Sequence, residues 1–512
     1  MKKVILLSDT TTIDYFRSKK QGKIVYKQVF TKNASGLRLA YSLRKRGIYV
    51  VPLYNYTAFS SNEFEAILKS HSDNGKNQLY VCISTSFMVP GLNRNIFYNT
   101  IDHYGIWGDY LNTTINFLAI SKKYNATTIM GGWAVHNFQL PSIHSKLIDL
   151  FVEGDGTEII DKLAGESNVS LNGKFLSRDG HRIYIASEIK DFSDQSSSPL
   201  PMDHIMQGEA LNSELSGGCI FSCSFCNYKL LGKKKYEFQR SYESLKQELK
   251  HNYDNFGTTF YTFTDNIMND YLPKLEMLSR IRDELQLDIR WVGYSRLDVI
   301  TNKAHAQLIK DSGAAGLLFG VESFTKSVGP YIGKMTDGDR IKESLHVVRD
   351  ILKDDALINL SLIGGAPTET PDMLNNTVDY LNSPEGKHLV DNTFFSPLII
   401  YKNQSEKNDI NKARNNPFRD YETKSSTEWN SPWGDSKTFQ NLCRDFNIAY
   451  KNYKQINTFN LPNLHNGGIS LSEGLRLVRT NAPMDTEIFA NFRETTDINI
   501  RNYVNNVLQS LE

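Results

Sequence analysis

Cys219, Cys223 and Cys226 fall in the segment Ser216-Gly217-Gly218-Cys219-Ile220-Phe221-Ser222-Cys223-Ser224-Phe225-Cys226-Asn227-Tyr228, a C-x3-C-x2-C spacing. Thiolates are the preferred ligands of iron–sulfur clusters. Three of them on one loop can hold three irons of a cubane and leave the fourth without a protein ligand, the open position that activation of a bound molecule needs. The small residues Gly217, Gly218, Ser222 and Ser224 let such a loop wrap its cargo, and Phe221 and Phe225 can shield it from water. The rival is a structural zinc site. Zinc usually closes with four ligands in paired C-x2-C or C-x2-H spacing. Here no second pair exists: Cys82 and Cys443 are isolated, and no His lies in the twenty residues after Cys226.

Further along the chain, short polar or glycine-containing motifs each follow a run that reads as a buried strand. They are Thr264-Asp265-Asn266, Ser295-Arg296-Leu297-Asp298, Gly320-Val321-Glu322-Ser323 and Ile363-Gly364-Gly365-Ala366-Pro367-Thr368-Glu369-Thr370. Taken singly, Asp265, Arg296 and Glu322 read equally well as an internal ion-pair network. Taken in order behind the cysteine loop, the set resembles the radical SAM superfamily, whose members carry an acidic strand end, an "sRlD" strand end, a "GvES" strand end (here followed by Lys334) and a "GlPgET" turn. That resemblance implies a [4Fe–4S] cluster on Cys219, Cys223 and Cys226 and S-adenosylmethionine (SAM) on its open iron. It places Asp265, Arg296, Glu322, Gly364, Gly365 and Pro367 around the cofactor. The implied reaction is reductive cleavage of SAM to a 5′-deoxyadenosyl radical and hydrogen abstraction from a small-molecule or peptide substrate that the residues do not identify. An external electron donor of flavodoxin or ferredoxin type is implied with it. The residue that handles the substrate is not legible.

These motifs need a scaffold, and the apolar rhythm supplies one. Over 1–165, strand-like runs at Val4–Leu7, Tyr49–Leu53, Leu79–Ile83, Thr127–Met130 and Leu147–Val152 alternate with helical patterns around Leu37–Leu43, Glu63–Ser70 and Tyr110–Lys123. Such alternation predicts a Rossmann-like parallel sheet with ligands at the carboxyl ends of its strands. Phe175–Ile189 reads as a hairpin around Asp179-Gly180, and Ser193–Pro201 as a linker, so 166–210 is expected to separate two domains. Over 211–400, strands at Phe260–Thr264, Ile289–Tyr294, Gly316–Val321, Ile358–Ile363 and Phe394–Ile399, with one more before Cys219, predict a partial (β/α)6 TIM-like barrel. Thr301, the pair Thr336/Asp339, and Thr370-Pro371 are candidate helix starts. Residues 401–512 read as mainly helical. Trp429 and Trp433 could line a substrate entry at the barrel mouth or serve as packing anchors.

The N-terminal half adds a second resemblance. Its order of Rossmann-like domain, Met130-Gly131-Gly132-Trp133 turn, Glu153-Gly154-Asp155-Gly156-Thr157-Glu158 turn, hairpin, linker and cysteine loop is similar to the cobalamin-binding-domain class of radical SAM proteins. Ser84 and Ser86 match small polar residues at the third strand end of that class. The Asp-x-His-x-x-Gly motif that gives cobalt a lower axial His is absent, Asp102 and His103 being adjacent, and His136 reads as a packing residue. Members of the class either bind cobalamin without that His or keep the fold without the cofactor, so methyl transfer and a cobalamin-free rearrangement, cyclisation or oxidation both stand. A zinc-dependent barrel enzyme and a non-catalytic scaffold of the same fold are the remaining alternatives. The methylthiotransferase branch needs further N-terminal cysteines that this chain lacks.

Bulk properties narrow the setting. Lys+Arg number 58 and Asp+Glu 57 in 512 residues, so no global charge argues for nucleic acid or membrane, and the basic run Lys229 and Lys233–Lys235 reads as a solvated loop. Five cysteines, three of them in eight residues, are no disulfide framework, and a reducing cytoplasm is the expected location. The apolar run Val4–Leu7 is too short for a signal-peptide core.

Overall fold

The computed structural model describes residues 1–9, 31–84, 106–132, 146–165, 170–178, 180–187, 191–221, 238–334, 337–366, 369–398, 458–480 and 486–511, with a few isolated positions including 135, 223, 225 and 226. The chain divides into two compact units.

The first unit comprises residues 1–212, 247–258 and 487–512. Its sheet runs β2-β1-β3-β4-β5-β7-β6, with β1 Lys2–Leu7, β2 Tyr49–Leu53, β3 Gln78–Ser84, β4 Thr127–Gly132, β5 Leu150–Glu153, β6 Lys174–Arg178 and β7 His181–Ile185. Pairs among β1 to β5 are parallel, β7 lies parallel to β5, and β6 closes the edge antiparallel to β7. Ile5, Leu7, Val81 and Ile83 enter one buried cluster while Val4, Leu6, Tyr80 and Cys82 enter another. A strand covered on both faces must be apolar at successive positions, which is why these runs lack polar alternation. The strand expected from Leu147 starts only at Leu150, because the Asp149 carboxylate accepts the Thr128 N–H (2.7 Å) that a ladder carbonyl would otherwise take. Between the strands lie α1 Ala34–Arg44, capped by the Asn33 side chain, α2 Ser61–Ser72, opened by a Ser60/Glu63 capping box, α3 Ile106–Lys123 and α4 Thr157–Ala164. The C-terminal helix Glu487–Gln509 returns to this unit and inserts Tyr503, Val504 and Val507 into the cluster that holds Ile5 and Leu7.

The second unit comprises residues 213–246 and 259–486. Its sheet runs β13-β12-β11-β10-β9-β8 in unbroken sequence order, with β8 Leu211–Ser213, β9 Phe260–Phe263, β10 Arg290–Ser295, β11 Ala314–Glu322, β12 Leu357–Gly364 and β13 Asn392–Pro397. Every pair from β9 to β13 is parallel. This is the open six-stranded partial barrel. Its helices include α5 Tyr242–Phe256, whose second half counts with the first unit, α6 Leu272–Leu285, α7 Lys303–Asp311, α8 Gly338–Leu352 and α9 Pro371–Asn382. Two of the expected helix starts differ. The cap of α7 is Asn302, which accepts the His305 N–H at 3.0 Å, while Thr301 lies one residue outside. The cap of α8 is Asp337, accepting from the Arg340 N–H. Thr370 with Pro371 starts α9 as expected.

Alternate strand positions divide this sheet into two faces. Tyr261, Phe263, Trp291, Leu317, Phe319, Leu360, Leu362 and Phe395 are all buried, and the Trp291 indole donates to the Ser312 carbonyl behind α7 (2.9 Å). On the opposite face, the lower positions are covered by the segment Thr458–Asn466. The approach is close enough that a Cβ on Gly316 would lie 2.3 Å from Thr458 Cγ2. Above that floor the face opens: Tyr294 is 46% and Phe394 57% exposed, with Thr262, Leu318, Gly320 and Ser361 half-buried between them.

Candidate metal and cofactor site

The cysteine loop leaves the end of β8 and is held by a buried carboxylate. Asp265, just past β9, accepts from the backbone N–H of Leu215 (2.7 Å) and of Ser216 (2.8 Å) and from Ser216 Oγ (2.8 Å). Lys274 Nζ stands 3.5 Å from the same carboxylate and donates to Ser216 Oγ (3.0 Å) and to the Ile267 carbonyl (2.7 Å). Burial pushes the Asp265 carboxyl up, and Lys274 with the loop donors pulls it back. On its other side the loop is clipped by Gly217 N–H to the Phe238 carbonyl and by Arg240 N–H to the Leu215 carbonyl, each 2.8 Å. Gly218 takes φ +84°, a conformation that side chains disfavour, and so turns the chain into Cys219.

None of the three thiols is in a disulfide; Cys219 and Cys223 are buried and Cys226 partly so. Burial drives the Cys219 thiol up to about 11, against the Phe221 N–H that points at its sulfur from 3.5 Å. Cys223 Sγ receives a hydrogen bond from Arg296 Nη1 at 3.3 Å and faces the Gly333 carbonyl at 3.8 Å. The Cys226 N–H donates to the Cys223 carbonyl (3.1 Å), a turn that sets the second spacing. Among the described residues no three His, Cys, Asp or Glu side chains converge tightly enough to hold one ion. Sulfurs on one zinc lie about 2.3 Å from a common centre. Cys219 and Cys223 each have an N–H donor aimed at sulfur, which fits thiolate ligands of an iron–sulfur cluster.

The remaining motifs gather at the same carboxyl edge of the sheet. Arg296, after β10, is 1% exposed. Its Nε and Nη2 engage both oxygens of Asp298, and its guanidinium lies 3.8 Å from the Phe221 ring centroid. Asn269 fixes the backbone of Arg296 from both sides, accepting its N–H (2.8 Å) and donating to its carbonyl (2.7 Å). Glu322, ending β11, takes φ +68°, which is rare for a residue with a long side chain. Its carboxylate folds back over Gly320, where an added Cβ would lie 2.7 Å from Oε1, and pairs with Lys334 at 3.4 Å. Burial pushes this carboxyl up, and Lys334 opposes it. Lys334 also donates to the Gly320 carbonyl (2.5 Å). Gly364 ends β12, and Gly365, at φ +83°, turns its N–H onto Glu369 Oε2 (2.8 Å).

Cys219, Cys223, Cys226, Asp265, Arg296, Glu322, Gly364 and Gly365 thus lie at the carboxyl ends of neighbouring strands. Pro367, Ser86, Trp133, His136, Asp102, His103, Lys229, Lys233, Lys234, Lys235, Thr336, Trp429, Trp433 and Cys443 lie outside the described residues. Residue reasoning missed the roles of Asp298, Lys274 and Glu369. Asp298 stood inside the quoted "sRlD" run and Glu369 inside the last turn, so position in a motif was the available signal. Lys274 carried none, because only the tertiary fold sets it beside Asp265.

Comparison with known proteins bears on this geometry. A family model described as the radical SAM superfamily matches residues 213–381. A relative in Pyrococcus horikoshii, described as an uncharacterized methyltransferase, is 25% identical over 284 residues, which cover 52% of this chain and 60% of the relative. The alignment therefore spans about 60% of that relative's length. Among solved structures, the chain resembles the radical S-adenosylmethionine methyltransferase TsrM from Kitasatospora setae with tryptophan and a SAM analogue bound. The TM-score is 0.54 at 16% identity, over 77% of this chain and 73% of that one. It also resembles the cobalamin-dependent S-adenosylmethionine radical enzyme OxsB with aqua-cobalamin bound, with a TM-score of 0.58 at 13% identity, over 100% of this chain and 80% of that one. The thiol loop, the strand-end motifs and β9 to β12 all fall in the matched span, so residues 213–381 carry a radical SAM domain.

Proposed function

We propose that this chain is a radical SAM methyltransferase that uses cobalamin, with the cluster on Cys219, Cys223 and Cys226 and the substrate in the chamber between Tyr294 and Phe394. The observation that carries the reading is the loop of three thiols pinned by Asp265 at the carboxyl edge of a six-stranded sheet. A [4Fe–4S] cluster held there would supply the electron for reductive cleavage of SAM. The residues of this chain do the rest: Asp265 and Lys274 shape the loop, Phe221 and the buried Arg296 shield its sulfur atoms, and the Thr458–Asn466 segment closes the chamber floor against water.

The cobalamin half of the proposal rests on the first unit. Ser84 ends β3 buried, Gly131 and Gly132 end β4, and Gly154 follows β5. Gly132 and Gly154 take φ +127° and +102°, conformations that exclude side chains, and Gly154 N–H meets the Gly132 carbonyl at 3.4 Å. Ser84, Gly131, Gly132 and Gly154 thus put backbone and small residues at three adjacent strand ends, an edge suited to a macrocycle. The missing axial-His motif is consistent with a corrin held without a protein ligand to cobalt. The TsrM and OxsB likenesses support the same reading, and the electron is expected from a cytoplasmic flavodoxin or ferredoxin. Among the described residues no helix is long and apolar enough to cross a membrane.

Anaerobic reconstitution tests both halves. The expected result is about four irons per chain, a broad sulfur-to-iron absorption band lost when the three thiols are replaced by alanine, a corrin band after incubation with hydroxocobalamin, and 5′-deoxyadenosine from SAM under dithionite. Iron uptake that survives the triple replacement would overturn the cluster site. A cluster with no corrin band would leave the cobalamin-free reading.

A further inference from the structure

The family resemblance points Arg296 at SAM, but its surroundings point elsewhere. One edge of the guanidinium is taken by the two oxygens of Asp298, the remaining Nη1 donates to Cys223 Sγ at 3.3 Å, and the flat face rests on Phe221 at 3.8 Å. The residue is 1% exposed and its backbone is locked by Asn269. Each of its three nitrogens thus has a partner, Nε and Nη2 on Asp298 and Nη1 on the loop that holds the thiols. A guanidinium keeps its charge at any physiological pH, so this donor is permanent.

We propose that Arg296 is a positioning residue that sets the reduction potential of the cluster through Cys223, with Asp298 as the counter-charge that limits its effect. The proposal rests on the reading that the thiols carry a [4Fe–4S] cluster. One-electron reduction adds one negative charge to a cluster and takes up no proton. An N–H donor and a buried positive charge at a ligand sulfur favour the more negative form, and so raise the potential. Asp298 partly neutralises that charge from the far side. Phe221 lies between Cys219 and Cys223 in the chain, so the stacked guanidinium holds the aromatic shield and the middle thiolate together.

The test is an EPR-monitored redox titration of the reconstituted full chain without SAM, so that no contact to SAM enters the reading. Arg296→Met should lower the midpoint so that, at fixed potential, the reduced fraction falls relative to the oxidised by about tenfold, ~59 mV for one electron. Asp298→Asn should move it the opposite way. An unchanged midpoint in both variants, with weakened SAM binding in Arg296→Met, would overturn the proposal and return Arg296 to the SAM carboxylate. If Arg296→Met fails to assemble a cluster, Asp298→Asn decides: an upward shift supports the proposal and no shift overturns it. Failure of the unsubstituted chain to bind iron and sulfide would instead sink the functional reading beneath it.

Discussion

Buried ionisable residues in this chain do different work according to what faces them. Cys82 and Cys219 are both buried thiols, raised to about 12 and about 11, so burial alone does not tell them apart. What separates them is the Phe221 N–H aimed at Cys219 and the Arg296 donor on neighbouring Cys223. Glu369 shows the same logic in a carboxyl. Gly365 N–H (2.8 Å), Ala366 N–H (3.3 Å) and Ser323 Oγ (3.2 Å) donate to it, yet burial prevails and pushes it up to about 7. A raised value means that the folded chain holds the proton more tightly than the unfolded chain. The stability this lends is complete below the unfolded value of 4.5 and is lost as pH rises through about 7. Glu369→Gln keeps an acceptor for the two amides and removes the titration. It should stabilise the chain by on the order of 2–3 kcal/mol near neutral to alkaline pH and change little below the unfolded value. Urea unfolding across that range checks it, and parallel pH profiles for the two proteins would refute it.

At the scale of elements, the join between β8 and the thiol loop depends on one carboxylate. Asp265→Ala would leave the Leu215 and Ser216 amides without their acceptor and Lys274 without one of its buried counter-charges. Removing one partner of a buried ion pair costs about 3–5 kcal/mol. The expected outcome is a lower unfolding midpoint together with reduced iron and sulfide uptake on reconstitution, while α6, which carries Lys274, stays helical by circular dichroism. Full iron uptake would mean that the Phe238 and Arg240 clips alone shape the loop. Helix starts were legible to within one residue. Asn302 and not Thr301 stands three residues before the His305 N–H that it accepts, and both types cap well enough that neighbouring candidates are hard to rank by pattern.

For the molecule as a whole, the chain returns at its C-terminal end to the unit where it began. Tyr503 is 2% exposed, accepts the Tyr54 N–H through its hydroxyl (3.0 Å) and meets Phe59 edge-on at 6.0 Å. Lys32, fully buried with Glu209 at 2.6 Å, sits over the same ring at 5.2 Å. Truncating such an aromatic removes both packing and the acceptor. Tyr503→Ala is expected to cost about 3–5 kcal/mol and Tyr503→Phe about 1 kcal/mol. The calorimetric transition of the first unit should drop accordingly, with iron content per folded chain unchanged. Equal effects of the two substitutions would show that the hydroxyl, and not the ring, anchors the helix.

Much of this protein was determined by local sequence. The C-x3-C-x2-C spacing, the strand rhythm of both sheets, the hairpin at Asp179-Gly180 and the Thr370-Pro371 helix start all rest on residue type and short spacing, which depend on near neighbours only. Other features were decided by the tertiary structure, because they join residues far apart in the chain. Lys274 beneath Asp265, Arg296 on Cys223 and Phe221, Glu322 folded over Gly320 toward Lys334, and Thr458–Asn466 against Gly316 have no sequence period. The C-terminal helix read only as a helix; that it completes the first unit's core follows from Tyr503 and Val507 finding Ile5 and Leu7 some five hundred residues away.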